Sequence, residues 1–112
     1  MKIEDLTIGQ ARELAALFNS VEQSVDTGPW HVGECYLIRT GTMILTGRLL
    51  SVGEHELLLQ DAAWIADTGR FANALRDGTL DEIEPFPGNA IVGRGAIVDA
   101  AVWLHPLPRT QK

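Results

Sequence analysis

Seven of the nine basic side chains in this 112-residue chain are arginines, and the two lysines, Lys2 and Lys112, stand at its ends. The interior cations are Arg12, Arg39, Arg48, Arg70, Arg76, Arg94 and Arg109. A guanidinium fork meets two oxygens of a phosphate or carboxylate at once and lies flat on an aromatic ring, neither of which an ammonium does. The usage therefore points to anion recognition in a local pocket, with solvated or salt-bridged arginines as the bland alternative. Catalysis is the poorer reading. Nucleophilic chemistry needs a nucleophile, a base and an orienting group that converge. The chain offers one cysteine, Cys35, and three scattered histidines, His31, His55 and His105. No Walker-type loop, HExxH or GxSxG occurs, and no CxxC or Cys/His cluster has metal-ligand spacing. A binding protein is expected rather than an enzyme, with no catalytic residue, metal or cofactor.

Composition bounds the rest. With 46% hydrophobic and 21% charged residues, a net charge of −6 and a pI near 4.9, the chain reads as one soluble domain spanning residues 1–112. The acidity argues against general nucleic-acid binding, which rests on clustered Lys and Arg. No apolar run approaches the roughly 18 to 20 residues of a membrane span, and a lone cysteine suits a reducing cytoplasm.

The elements that must position these side chains begin with a helix. Thr7 and Gln10 have the form of a capping box, and Ala11, Leu14, Ala15, Phe18 and Val21 recur at helical spacing before a turn at Asp26-Thr27-Gly28-Pro29. From Cys35 the pattern alternates. One strand ends at Thr40-Gly41, a second runs from Thr42 to Val52, and a third from His55 to Gln60, giving an antiparallel meander. Gly47, inside the second strand, marks a bulge, a bend or close approach of another backbone. A meander with a glycine-bent second strand is also the pattern of a small Sm-like or SH3-like barrel, a fold that often binds RNA or peptides. Ala62, Ala63 and Ala66 then surround Trp64 and present one large ring at a small-residue corner.

Asp67 or Thr68 can cap a second short helix that stops at Gly78, and Gly69 and Arg70 fall in its first turn, where a phosphate could sit. Phe71 shares a face with Leu75 and is either core or a ring that stacks on a base. Leu80 to Asn89 reads as a proline-punctuated edge strand. Ala90 to Leu104 is a long apolar strand region interrupted by Gly93-Arg94-Gly95, where Arg94 either lies against a ligand or occupies a solvated bulge. The proline-rich tail from His105 to Arg109 is extended, as tails that cross onto a partner subunit are. The fold expected is α+β, an antiparallel β-sheet packed with an N-terminal helix and a second short helix.

The runs IRTGTMILTGRLL, LQDAAWIADTGRFANAL, EIEPFP and IVGRGAIVDAAVWLHPLPR, which together cover roughly Tyr36 to Arg109, resemble the phage anti-defence sponge family that inhibits Thoeris, the first type described. The resemblance implies a small protein of the host bacterial cytoplasm that forms homo-oligomers, dimers or hexamers. It implies binding of glycosidic cyclic ADP-ribose, the messenger of TIR-domain proteins, which is held uncleaved so that the downstream effector stays inactive. Members of the family also take up cyclic trinucleotides of the CBASS pathway at a separate site.

A pyrophosphate-bridged cyclic nucleotide needs bidentate cations, planar groups for adenine, and amides or backbone for ribose hydroxyls. The candidates are Arg39, Arg48, Arg94 and Arg109 for phosphates, Arg70 at the helix start, Phe71 for the base, and Asn73 or Asn89 for polar contacts. Interface sites in a symmetric oligomer are expected.

Overall fold

The computed structural model describes residues 28–112, in which the alternation that begins at Cys35 becomes six strands. β1 (Cys35–Thr40), β2 (Ile44–Val52) and β3 (Glu56–Asp67) form the meander. The helix α1 (Phe71–Asp77), β4 (Glu82–Pro85), β5 (Ala90–Gly93), a 3-10 turn (Arg94–Ala96) and β6 (Ile97–Val102) come next. The chain divides into two units, Met1–Trp30 and His31–Lys112, and this fold is that of the second.

The strands lie in the order β4-β3-β2-β1-β6, with β5 also paired to β3. β3 accepts two partners on one side because it is 12 residues long. Its residues Glu56–Leu59 pair with β5, and its C-terminal part from Ala63 to Asp67 pairs with β4. The path β6-β1-β2-β3-β5 returns to its start through the 3-10 turn, which leads β5 directly into β6. The helix α1 and β4 form an excursion between β3 and β5.

Gly47 makes the bend possible. The β2–β3 register shifts between Thr46 and Arg48, opposite the stretch where Asp61 adopts φ 53°. A Cβ on Gly47 would stand 3.1 Å from the Leu59 Cβ and 3.4 Å from that of Ala62, so a side chain here would press the two strands apart by a few tenths of an ångström.

One sheet face carries Leu37, Ala63, Ile65 and Ile83, which pack with Ala74 of α1, Leu80 and Trp103. Cys35, Ile44, Phe71 and Leu107 complete this cluster. Elsewhere the ladder partners Leu49, Leu59 and Ala90, and Leu57 and Val92, are buried together. Thr46, itself fully buried, lies between Leu37 and Ala63 in the ladders, and its hydroxyl has no hydrogen-bond partner. Thr46→Val keeps the branched shape and removes the desolvated oxygen, so it should raise stability by about 1 kcal/mol. Urea denaturation checks this, and a lowered midpoint would show that the hydroxyl is satisfied in solution.

Three expectations are corrected. The α+β reading gives way to a mainly antiparallel β fold, because the described residues hold six strands and only a seven-residue helix besides the 3-10 turn. The N-terminal helix expected from Thr7 to Val21 lies outside the described residues. Gly93-Arg94-Gly95 is not a strand interruption but the connection between strands, as the 3-10 turn includes Arg94 and Gly95.

The third correction concerns the tail, which folds onto its own chain. The Trp103 Nε1 donates to the Pro106 carbonyl at 3.2 Å, Leu107 packs on the core, and Lys112 exchanges backbone hydrogen bonds with Ile83. His105 stands edge-on to Trp103 at 4.9 Å, and its Nε2 lies 2.8 Å from the Leu75 carbonyl oxygen at the end of α1. Gly78 ends that helix with φ 77°, where a Cβ would come within 2.7 Å of the His105 ring.

Candidate functional site

The arginine and the aromatic ring that the fold brings together are Arg39, near the end of β1, and Phe71, the first residue of α1. Ladder alternation puts Arg39 on the face of Ile44 and Ile65, the face on which Phe71 packs. The guanidinium lies over the Phe71 ring, 4.8 Å from its centroid. Its Nε donates to Asp99 Oδ1 at 2.7 Å and its Nη2 to Asp99 Oδ2, a bidentate pair linking β1 to β6. This leaves Nη1 as the nitrogen without a hydrogen bond in the pair.

The pair is half-exposed, so its electrostatics are screened. Hydrogen bonding from Arg39 holds the Asp99 carboxyl below the usual carboxylate range, and Asp99 in turn raises the arginine. Since the native carboxyl is the more acidic, what the pair adds to stability is complete above the ordinary carboxylate range and is lost as pH falls through and below it.

Beside this pair opens a cleft of about 350 Å³ around the sheet end, lined by Arg39, Thr40, Thr42, Met43, Ile44, Trp64, Ile65 and Ala66. Trp64 is 40% exposed. It comes after Ala63 and precedes Ile65, so its side chain leaves the opposite face of β3 from Ile65 and the cleft wraps around the strand ends. Sequence reasoning noted Trp64 as a presented ring but did not place it in the site. Its alanine neighbours were the available signal. On the other side of the β1–β2 turn a second, more apolar cleft of about 480 Å³ shares Thr40, Thr42 and Met43 and adds Leu45, Phe86, Asn89 and Val92 among its walls.

The remaining candidates are dispersed. Arg70 is exposed at the N-cap of α1, one residue before Phe71, but seven residues give a weak dipole and no side chain caps the start. Asp67 instead accepts the Gly69 N–H at 2.8 Å. Asn73 Oδ1 accepts from Arg76 Nη2 at 3.0 Å. Arg48 is exposed on β2 opposite Gln60 of β3. Next to Gln60 on the β3 bend, Arg109 donates through Nη1 to the Ala62 carbonyl at 3.1 Å and keeps its Nε 3.8 Å from Asp61. Arg94 is half-buried and its Nη1 donates to the Gly53 carbonyl at 2.8 Å, tying the 3-10 turn to the β2–β3 turn. The eight candidates thus occupy several neighbourhoods, and the contact shown between two of them is that of Arg39 with Phe71.

Among the described residues no group of three or more His, Cys, Asp or Glu side chains could hold a metal ion, and no helix is long and apolar enough to cross a membrane. The fold and cleft define a mainly antiparallel β domain with a cleft at one sheet end that Arg39 and Trp64 line. No protein-family model, curated protein or solved structure matches the chain significantly.

Proposed function

We propose that this chain is a non-catalytic sponge that binds glycosidic cyclic ADP-ribose in the cleft beside Arg39 and keeps it from a TIR-activated effector. The observation that carries the proposal is the Arg39 guanidinium, stacked on Phe71, on the wall of a cleft that Trp64 also lines. A guanidinium with a free edge can take a phosphate oxygen, and an exposed indole can take an adenine face. The four sequence runs that resemble the Thoeris-inhibiting family supply the identity of the ligand. On this reading the protein works in the cytoplasm of an infected bacterium, as a homo-oligomer. Cyclic trinucleotides of the CBASS pathway would use a separate site.

The test is recovery of the ligand. Protein incubated with the cyclic ADP-ribose isomer, freed of excess and then heated should release the same isomer, as read by mass spectrometry. ADP-ribose accumulating beyond one equivalent per site would make the protein an enzyme. Failure to retain the isomer at all would remove the sponge.

A second reading draws on the strand path β6-β1-β2-β3-β5, which is similar to that of SH3-like barrels, folds that elsewhere serve as docking modules for RNA or a partner protein. With a net charge of −6 the protein partner is the better form of it. Salt-sensitive RNA affinity without nucleotide retention would select this reading over the first.

A further inference from the structure

The strand that carries Arg39 and the helix that carries Phe71 are tied together by three consecutive residues near the C-terminus. The Trp103 N–H donates to the carbonyl of Cys35, the first residue of β1, at 2.8 Å. Two residues on, His105 Nε2 lies 2.8 Å from the carbonyl oxygen of Leu75 in α1. Cys35 and Arg39 share a face of their strand, and Phe71 and Leu75 share a face of their helix. The segment Trp103-Leu104-His105 therefore bridges the two elements whose side chains stack.

The helix needs such a tie. Seven residues make about two turns, well short of the roughly 12 to 15 that hold a helix in water without support. Its own backbone closes at Gly78, whose N–H donates to the Ala74 carbonyl at 2.9 Å. Leu75 has the next carbonyl, and the residue that would serve it, Thr79, lies beyond the helix. His105 takes that place. A carbonyl oxygen only accepts, so Nε2 carries the proton and donates. The imidazole is held from two further sides. Trp103 stands edge-on to it at 4.9 Å, and Gly78 leaves room that a Cβ, 2.7 Å from the ring, would take away.

We infer that His105 is a positioning residue for the cleft: its Nε2–H keeps α1 where the Phe71 ring lies beneath the Arg39 guanidinium. Arg39 is the charged side chain on the cleft wall, and two contacts set its plane. Asp99 grips the fork from β6, and Phe71 supports the flat face from α1. Without the His105 bond the helix exchanges between docked and undocked positions, and a ligand that needs the stacked guanidinium meets only the docked fraction. The consequence for the ligand rests on the nucleotide reading above, whereas the placement of the ring does not.

The Arg39 Nε–H reports the stacking directly. It is sheltered from exchange by its 2.7 Å hydrogen bond to Asp99, and the ring current of Phe71 displaces its proton resonance. Phe71→Leu gives the resonance position without the ring. His105→Leu fills the space without a donor and should move the Arg39 resonance toward that of Phe71→Leu. His105→Gln, whose amide nitrogen reaches the Nε2 position, should keep it at the wild-type value. Losing one hydrogen bond should weaken affinity for the cyclic ADP-ribose isomer roughly two- to tenfold in His105→Leu, with His105→Gln binding as the wild type does. An unmoved resonance in His105→Leu overturns the inference. So does an equal displacement in both variants, which would make His105 a packing residue only. A moved resonance with undiminished affinity overturns the role in the cleft. Should the wild type retain no isomer, the nucleotide reading falls, and the resonance by itself decides whether His105 places the ring.

Discussion

Trp103→Ala is expected to cost the fold about 3 to 5 kcal/mol, the usual range for removing a large buried aromatic side chain. The ring is 4% exposed and belongs to the cluster of Leu37, Ile65, Leu80 and Ile83. It also organises the C-terminal tail. Its Nε1 anchors the turn at Pro106, and its ring holds His105 in place to meet the last carbonyls of α1. Truncation therefore leaves a cavity and removes the support of the tail that covers β4. Urea denaturation measures the loss, with Val98→Ala on the exposed face of β6 as a control expected to stay within about 0.5 kcal/mol. A loss below about 1 kcal/mol, far under that range for a core aromatic, would mean that the tail and its tryptophan do not stay docked in solution.

The second large effect concerns the cleft. Arg39→Lys keeps the charge but loses the plane that stacks on Phe71 and the fork that grips Asp99. A charge-assisted contact is worth about 1.5 to 3 kcal/mol, so affinity for the cyclic ADP-ribose isomer should fall roughly ten- to 150-fold. Asp99→Asn should act in the opposite direction, because the guanidinium no longer shares its hydrogen bonds with a carboxylate that competes with phosphate. Arg94→Lys is the comparison. Its guanidinium is committed to the Gly53 carbonyl, so its replacement should appear in the melting temperature rather than in binding. Calorimetry on the three variants decides the matter, and equal affinities for Arg39→Lys and the wild type would move the pocket elsewhere.

Much of the sheet could be read from residue order. Alternating apolar side chains marked β1 and β2, and Gly78 marked the end of α1. Gly47 was legible as a close approach because a strand-interior residue without a Cβ has few other uses. β3 was read too short, since Asp61 takes a positive φ that sequence does not announce and the alanines after it lack the branched side chains that signal a strand. Gly93 and Gly95 suggested an open bulge, whereas a 3-10 turn that closes the strand circuit needs the same permissive residues.

The site was harder to read for a different reason. Arg39 stood out by type, but its partner Asp99 lies 60 residues away, and nothing local tells which carboxylate a guanidinium will find. Phe71 was balanced between core and pocket mouth; it packs against the core, with Arg39 over its ring. The tail's prolines spoke of extension but not direction, which Trp103 and Leu107 set by burial.

The distance along the chain between β1 and β6 also sets an order of events during synthesis. β1, β2 and β3 are neighbours in sequence and can form their ladders as soon as they leave the ribosome, because closing short loops is fast. β1 then waits for β6, its other ladder partner, which emerges about 60 residues later. At about 5 to 20 residues per second that interval is roughly 3 to 12 seconds. Throughout it, the side of β1 that finally meets β6 is an open edge, and Trp103, which closes the core above it, has not yet been made. The nascent chain therefore depends on its last third for protection, and the return of β6 to β1, a pairing of high sequence separation, is expected to be a slow step of folding.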